Sequence, residues 1–219
     1  MEKYQAIILA AGVGSRMGPL TKHKPKTLLK VNGEPLITKI INTLEKKYFS
    51  EIIVVIGHEG NKIKKLLNKK NKKFPIRFIS NSIYKKTNST YSMWLTIPYL
   101  KKNIIIINAD TIFDKKIMQL ITKSKYKNGL AIDDNIKIPL PREAMKVTIK
   151  KNIITNVSKI ISSNKTNGDA IGIYKFDKFG MKLLIKNLDN LVKKNDTKHL
   201  FTLAVKKLLN KINIYSIST

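Results

Sequence analysis

Four short apolar runs, Gln5–Leu9, Ile52–Ile56, Ile76–Ile79 and Asn103–Ile107, alternate with segments whose apolar residues recur at helical spacing. Runs of that length and composition are buried strands. Between them, Leu36, Ile37, Ile40, Ile41 and Leu44 return every three or four residues and predict a helix over Leu36–Tyr48. Asn61–Lys69 reads as a short basic helix and Tyr91–Leu100 as a third. Strand, helix, strand in this rhythm requires crossover connections, so the first half forms a mostly parallel sheet. The second half differs. Leu130–Asp133, Ala144–Ile149, Ile153–Val157 and Ala170–Tyr174 are short strands without long helices between them, and Lys150-Lys151-Asn152 predicts a hairpin. Helices over Phe179–Lys193 and Leu200–Leu209 follow, then a strand over Ile212–Ile217.

The 219 residues suit one domain spanning 1–219, and 42% hydrophobic content can build its core. No apolar run reaches the roughly 18 residues that a membrane span needs. The opening MEKYQAIILAAG leads from a short apolar run straight into glycine, which is not a signal peptide. A cytoplasmic protein is expected. Zero Cys excludes disulfides, thiolate metal sites and Cys nucleophiles, and His23, His58 and His199 lack metal-ligand spacing. No sequence feature sets an oligomeric state.

The net charge of +29 would by itself suggest nucleic acid. Of the 43 basic residues, however, only Arg16, Arg77 and Arg142 are arginine, leaving 40 lysines scattered along the chain. Specific nucleic-acid surfaces favour Arg for bidentate contacts. No specific nucleic-acid partner is expected, only salt-sensitive adhesion to polyanions. Lys72, in the basic run Asn68–Lys73, is expected to carry no chemistry.

The first chemical motif is Leu9-Ala10-Ala11-Gly12-Val13-Gly14-Ser15-Arg16-Met17. A strand delivers a loop of small residues whose backbone N–H groups can face anionic oxygens, and Arg16 adds a fork-shaped cation. The loop fits neither the dinucleotide fingerprint nor the P-loop, because no glycine follows at the third position and no Gly-Lys-Ser/Thr closes it. Lys24-Pro25-Lys26-Thr27-Leu28 comes next, with Pro25 stiffening the segment that carries Lys26.

Together, the run AIILAAGVGSRMGPLTKHKPKTLLKVNGEPLI closely resembles the opening of the sugar-phosphate and alcohol-phosphate nucleotidyltransferases, whose pattern is LAAGxGxRM/L followed by PKxL. The resemblance covers about residues 4 to 215. It implies an α/β, Rossmann-like, doubly wound fold: a mostly parallel mixed sheet with a small antiparallel extension. It further implies a nucleoside triphosphate held by Leu9, Ala10, Ala11, Gly12, Gly14, Ser15, Arg16 and Lys26.

The middle of the chain narrows the branch. Asn81 to Met93 (NSIYKKTNSTYSM) resembles the N-x-x-Y…T-N-x-x-Y-S-L segment of phosphocholine cytidylyltransferases. Asn81, Asn88 and Ser92 are therefore candidates for base or ribose contacts, although Asn88 equally suits a helix N-cap. Trp94 reads as core packing. Asp110 ends a run of four isoleucines, where parallel strands present ligand sites. The resemblance maps it onto a metal-binding Asp that would hold Mg²⁺ against the triphosphate; the alternative is a cap for a helix over Thr111–Ile121.

Further matches follow in family order. Ala144-Met145-Lys146-Val147 resembles an "MKV" strand, implying that Lys146 points at the reacting phosphates. Gly168-Asp169-Ala170-Ile171-Gly172-Ile173 resembles a "G-E/D-x-x-G-I" element, with Lys159 ahead of it. Lys159, Asp169 and Asp133 are candidate acceptor-binding residues; Asp133 and Asp134 also suit a solvated turn. One departure stands out. The family's late "EID-S/T" carboxylates are not visible in Ile214–Thr219, so the chain either stops short of them or carries Ser in both positions. The first is expected, and it leaves Asp110 without a partner carboxylate.

The expected activity is transfer of CMP from CTP to a small phosphate or phosphonate acceptor such as phosphocholine, with Mg²⁺ as cofactor. A sugar-1-phosphate nucleotidyltransferase and a weakly active nucleotide-binding remnant are the alternatives.

Overall fold

A computed structural model of the chain describes residues 2–71, 73–136 and 139–219; Lys72 lies outside them. The first element is β1 (Tyr4–Ala10). It is followed by two 3₁₀ turns, Ser15–Thr21 and Lys26–Leu28, and by a small hairpin of β2 (Lys30–Val31) and β3 (Glu34–Pro35). Helix α1 (Leu36–Thr43), β4 (Phe49–Ile56), α2 (Gly60–Lys70) and β5 (Ile76–Ser80) continue the alternation. Then come α3 (Ser89–Trp94), β6 (Ile104–Asn108), α4 (Lys115–Lys123) and β7 (Gly129–Asp133). The last third holds β8 (Lys146–Lys150), β9 (Ile153–Ser158), β10 (Gly168–Phe176), α5 (Lys178–Lys193), α6 (Thr202–Lys206) and β11 (Tyr215–Ser218).

Nine strands form one sheet in the order β5-β4-β1-β6-β10-β7-β11-β9-β8. The first four are mutually parallel. β10 then runs antiparallel to both β6 and β7, β11 is parallel to β7, and β8 and β9 pair antiparallel. The sheet is mixed as expected, and the antiparallel extension, expected to be small, occupies five of its nine strands.

Alternation along β1 explains the layering. Ala6, Ile8 and Ala10 pack on one face with α1, α2 and α4, whereas Ile7 packs on the other with α5 and α6. Both faces are covered, so the strands read as continuous apolar runs; Ile104 to Ile107 are all fully buried. The chain moves from β1 outward through β4 and β5, then returns to β6 on the other side of β1. The β1/β6 junction is thus a switch point, where the loops leaving both strands diverge and open a crevice.

Several boundaries differ from the sequence reading. The helix from Leu36 ends at Thr43, with Leu44 already extended. The third helix covers only Ser89–Trp94 and is followed by a 3₁₀ turn at Ile97–Tyr99, because Pro98 cannot donate within a helix. The final strand begins at Tyr215 rather than Ile212. The hairpin holds: Lys151 and Asn152 both have positive φ, 50° and 64°, the requirement of a type I′ turn.

Candidate active site

A cleft of about 310 Å³ lies over the β1/β6 switch point. Its floor is the loop after β1, from Leu9 to Met17, and its flank is Asn108-Ala109-Asp110 at the tip of β6. The loop is built around Gly14, which has φ +72°, a conformation costly for any residue with a Cβ. A Cβ there would also meet Lys26 Cβ at 3.1 Å. Thr21 Oγ1 donates to Gly14 O at 2.9 Å, and Met17 N donates to the same carbonyl at 2.9 Å. These bonds fold the loop back on itself and bring Lys26 beside it.

Of the sequence candidates, Leu9, Ala10, Ala11, Gly12, Gly14, Ser15, Arg16, Lys26, Asn81, Asn88, Ser92 and Asp110 all line this cleft. Lys26 Nζ stands 3.2 Å from Asp110 Oδ2. The capping alternative for Asp110 does not hold. The helix after it starts at Lys115, not Thr111, and its cap is Asp114, whose Oδ1 accepts from Lys116 N at 2.7 Å.

Asn81 and Asn88 are already engaged. Buried Asn81 donates through Nδ2 to Thr87 Oγ1 and Ser92 Oγ, both at 3.1 Å, and accepts from Ile83 N at 3.2 Å. It shapes the segment leading to α3. Asn88 is the N-cap of α3, its Oδ1 accepting from Ser89 N at 2.8 Å. Trp94 packs beside α5 and donates to Asp189 Oδ1 at 2.8 Å, as the packing reading expected.

Four candidates do not line the cleft. Lys146 is outside the cleft lining and buried, with Nζ donating to Lys159 O at 3.0 Å; Met145, the residue just before β8, lines the cleft instead. Lys159 Nζ lies 2.6 Å from Glu143 Oε2. Asp133 and Asp169 face each other across β7 and β10, where Asp169 Oδ1 is buried without a hydrogen bond among the described residues. Burial pushes the Asp169 carboxyl above the usual range, and Asp133 adds to the shift. Asp133 accepts from Asn135 N at 3.0 Å, which is the turn reading.

The sequence reading missed three features. Glu143 Oε2 accepts from Arg16 Nη1 at 2.9 Å as well as from Lys159, so one carboxylate oxygen joins the glycine loop to the far half of the sheet. Thr27 Oγ1 is buried at the cleft without a partner among the described residues; its place inside the Pro25-Lys26-Thr27-Leu28 motif was the available signal. Leu200 and Phe201 of the α5–α6 connection and Thr202 at the start of α6 close the cleft, tied to α3 by Phe201 N donating to Ser89 Oγ at 2.9 Å. Nothing local in the sequence marks that contact, which spans 112 residues.

No group of three His, Asp or Glu able to hold a metal occurs among the described residues. Asp110 offers a single half-exposed carboxylate. Mg²⁺ bound mainly through substrate phosphates needs only one or two carboxylates, so this donor set fits an ion that arrives with a nucleotide. Ser216 and Ser218 lie on β11 outside the cleft lining, and Ser218 Oγ donates to Asp134 Oδ2 at 2.6 Å.

A switch-point loop of small residues, with an Arg, a Lys and a strand-tip Asp lining one cleft, is the arrangement of a nucleotidyltransferase. The chain belongs to the MobA-like NTP transferase domain family, whose pattern it matches over residues 6–133. It is 30% identical over 186 residues to the CTP:phosphoglutamine cytidylyltransferase of Campylobacter jejuni, covering 78% of this chain and 72% of that protein. It is 29% identical over 220 residues to the bifunctional protein GlmU of Methanococcus vannielii, covering 97% of this chain but 49% of that protein, so the chain spans about half that relative's length. The CTP:phosphocholine cytidylyltransferase from Streptococcus pneumoniae shares the fold, with a TM-score of 0.77, 22% identity, and coverage of 99% and 90% of the two chains. No helix among the described residues is long and apolar enough to cross a membrane.

Proposed function

We propose that the chain is a single catalytic domain that transfers CMP from CTP to a small phosphate or phosphonate acceptor such as phosphocholine. A phosphoryl oxygen of the acceptor attacks the α-phosphorus in line, the bond to the β-phosphate oxygen breaks, and pyrophosphate leaves. No covalent enzyme intermediate is required, so the protein's task is positioning and charge neutralisation.

The observation that carries this reading is the convergence of Arg16, Lys26 and Asp110 on one cleft at the switch point. The N–H groups of the Ala11–Ser15 loop and the two cations would hold the triphosphate. Asn81 and Asn88 would shape the wall against which the base lies, with Ser92 and Thr27 offering hydroxyls. Asp110 would hold Mg²⁺, which when bound neutralises charge on the phosphates. Lys146 would act indirectly, fixing the Lys159 carbonyl and so the place of the Lys159 amine. Asp169 and Asp133 would flank the acceptor end.

Identity with the Campylobacter cytidylyltransferase supports the choice of CTP. A sugar-1-phosphate nucleotidyltransferase is the second reading, kept in view by the match to the GlmU protein over 97% of the chain. Pyrophosphate release measured with CTP, UTP, ATP and GTP, each against phosphocholine, a phosphonate and two sugar 1-phosphates, separates them. Turnover with CTP and phosphocholine or the phosphonate is expected. Turnover confined to UTP with a sugar phosphate overturns the first reading in favour of the second.

A further inference from the structure

Each cation set aside above for phosphate is already paired inside the protein. Lys26 faces Asp110 at 3.2 Å. Arg16 and Lys159 both reach Glu143 Oε2, at 2.9 and 2.6 Å. Two cations from opposite halves of the sheet that meet on one carboxylate oxygen can equally meet on one phosphoryl oxygen, because the distance and the planar guanidinium geometry are the same. Glu143 is the carboxylate that such an oxygen would displace. Hydrogen bonding from Lys159, the charge of Lys159 and the nearby Arg16 hold its carboxyl below the usual range.

When phosphates take Arg16 and Lys159, Glu143 is left as a bare carboxylate beside Arg16 of the cleft lining and two residues from Met145, which also lines it. Its other oxygen, Oε1, has no hydrogen bond among the described residues. A carboxylate is scarce here, since the chain has 14 acidic residues against 43 basic ones. It would repel a second anionic group on the acceptor and attract a cationic one.

We propose that Glu143 is a specificity residue for the acceptor: it holds Arg16 and Lys159 in the free protein and, once substrate phosphates displace it, binds the acceptor's ammonium. The preferred acceptor is then a zwitterion, a phosphate or phosphonate bearing a positively charged nitrogen. This rests on the cytidylyltransferase reading and narrows its substrate class. The exchange is isoelectric, since one carboxylate–cation contact is replaced by another while the phosphoryl group takes the fork.

Two measurements test it. In the first, CMP transfer is measured with phosphocholine and with the isostere that lacks its ammonium charge, 3,3-dimethylbutyl phosphate, for the wild type, Glu143→Gln and Glu143→Asp. The wild type is expected to favour phosphocholine by about five- to tenfold in kcat/KM, mostly through KM. Glu143→Gln should erase that preference, and Glu143→Asp should retain part of it. Equal losses for both acceptors in Glu143→Gln, or an unchanged preference, overturn the proposal. In the second, inorganic pyrophosphate is titrated calorimetrically into the wild type and Glu143→Gln without acceptor. The variant should bind several-fold more tightly, because no carboxylate competes for Arg16 and Lys159; equal or weaker binding overturns the placeholder role. If the wild type turns over neither acceptor, the cytidylyltransferase reading fails and the acceptor role of Glu143 fails with it, while the pyrophosphate titration still reads the placeholder exchange by itself.

Discussion

Lys26 Nζ lies 3.2 Å from Asp110 Oδ2, although 84 residues separate them in the chain. The contact joins the loop beyond β1 to the tip of β6 and closes the floor of the cleft. Both side chains are partly exposed, so the pair itself stabilises the fold little. Under the proposed function, a nucleotide would separate the pair, Lys26 turning to phosphate and Asp110 to the metal.

Lys26→Ala and Arg16→Ala should each slow CMP transfer by about two to three orders of magnitude, since each removes a charge-assisted phosphate contact strengthened in the transition state. Lys69→Ala, on the exposed face of α2, should leave turnover at the wild-type value. Steady-state kinetics on the three variants checks this. Equal losses from all three would show that only the overall positive charge matters.

Asp110→Asn should abolish Mg²⁺-dependent turnover while leaving the melting temperature of the free protein nearly unchanged. With Asp110 the one carboxylate lining the cleft among the described residues, Mg²⁺ should bind appreciably only in the presence of CTP, and activity should require millimolar metal. Calorimetric titration of Mg²⁺ with and without CTP reads this directly. Tight Mg²⁺ binding to the free protein would mean that a second carboxylate completes the site.

Gly57→Ala should damage the nucleotide loop from behind. A Cβ at Gly57 would stand 2.5 Å from Ala11 O and 2.9 Å from Tyr84 Cβ, both at the cleft, so backbone must move. A loss of about 1–3 kcal/mol of stability is expected, with a raised KM for CTP. Thermal melting and kinetics on the purified variant measure both. A raised KM without any loss of stability would point to displacement confined to the loop.

Lys175 provides a pH test of the fold. Its amine is buried beneath α4, donates to Ile121 O at 3.0 Å and Ser124 O at 2.9 Å, and burial pushes its pKa down to about 8. The unfolded chain keeps the ordinary lysine value, so between about pH 8 and 10.4 the unfolded state binds more protons. Stability should therefore rise with pH across that window through this group, by up to about 3 kcal/mol, and the cost of the buried charge should be full below pH 8. Denaturant unfolding of the wild type and Lys175→Met from pH 7 to 10 isolates the effect, because other lysines cancel. Parallel curves for the two proteins would show that the amine stays charged in place.

The sequence alone determined the alternation of strands and helices, the glycine loop, the Lys26 motif and the strand-tip position of Asp110. All of these follow from local periodicity or from residues close together in the chain. It also marked Asn81, Asn88 and Ser92, yet not that the Asn81 amide is spent holding Thr87 and Ser92, because a side chain's hydrogen bonds depend on what packs beside it. The tertiary structure alone decided how much of the sheet is antiparallel, since pairing order is a choice among distant strands. It alone placed Lys146 outside the cleft lining, as a strand's two faces can be assigned only when its neighbours are known. It alone joined Arg16 to Glu143, 127 residues apart, because ion pairs between loops are written in no local pattern.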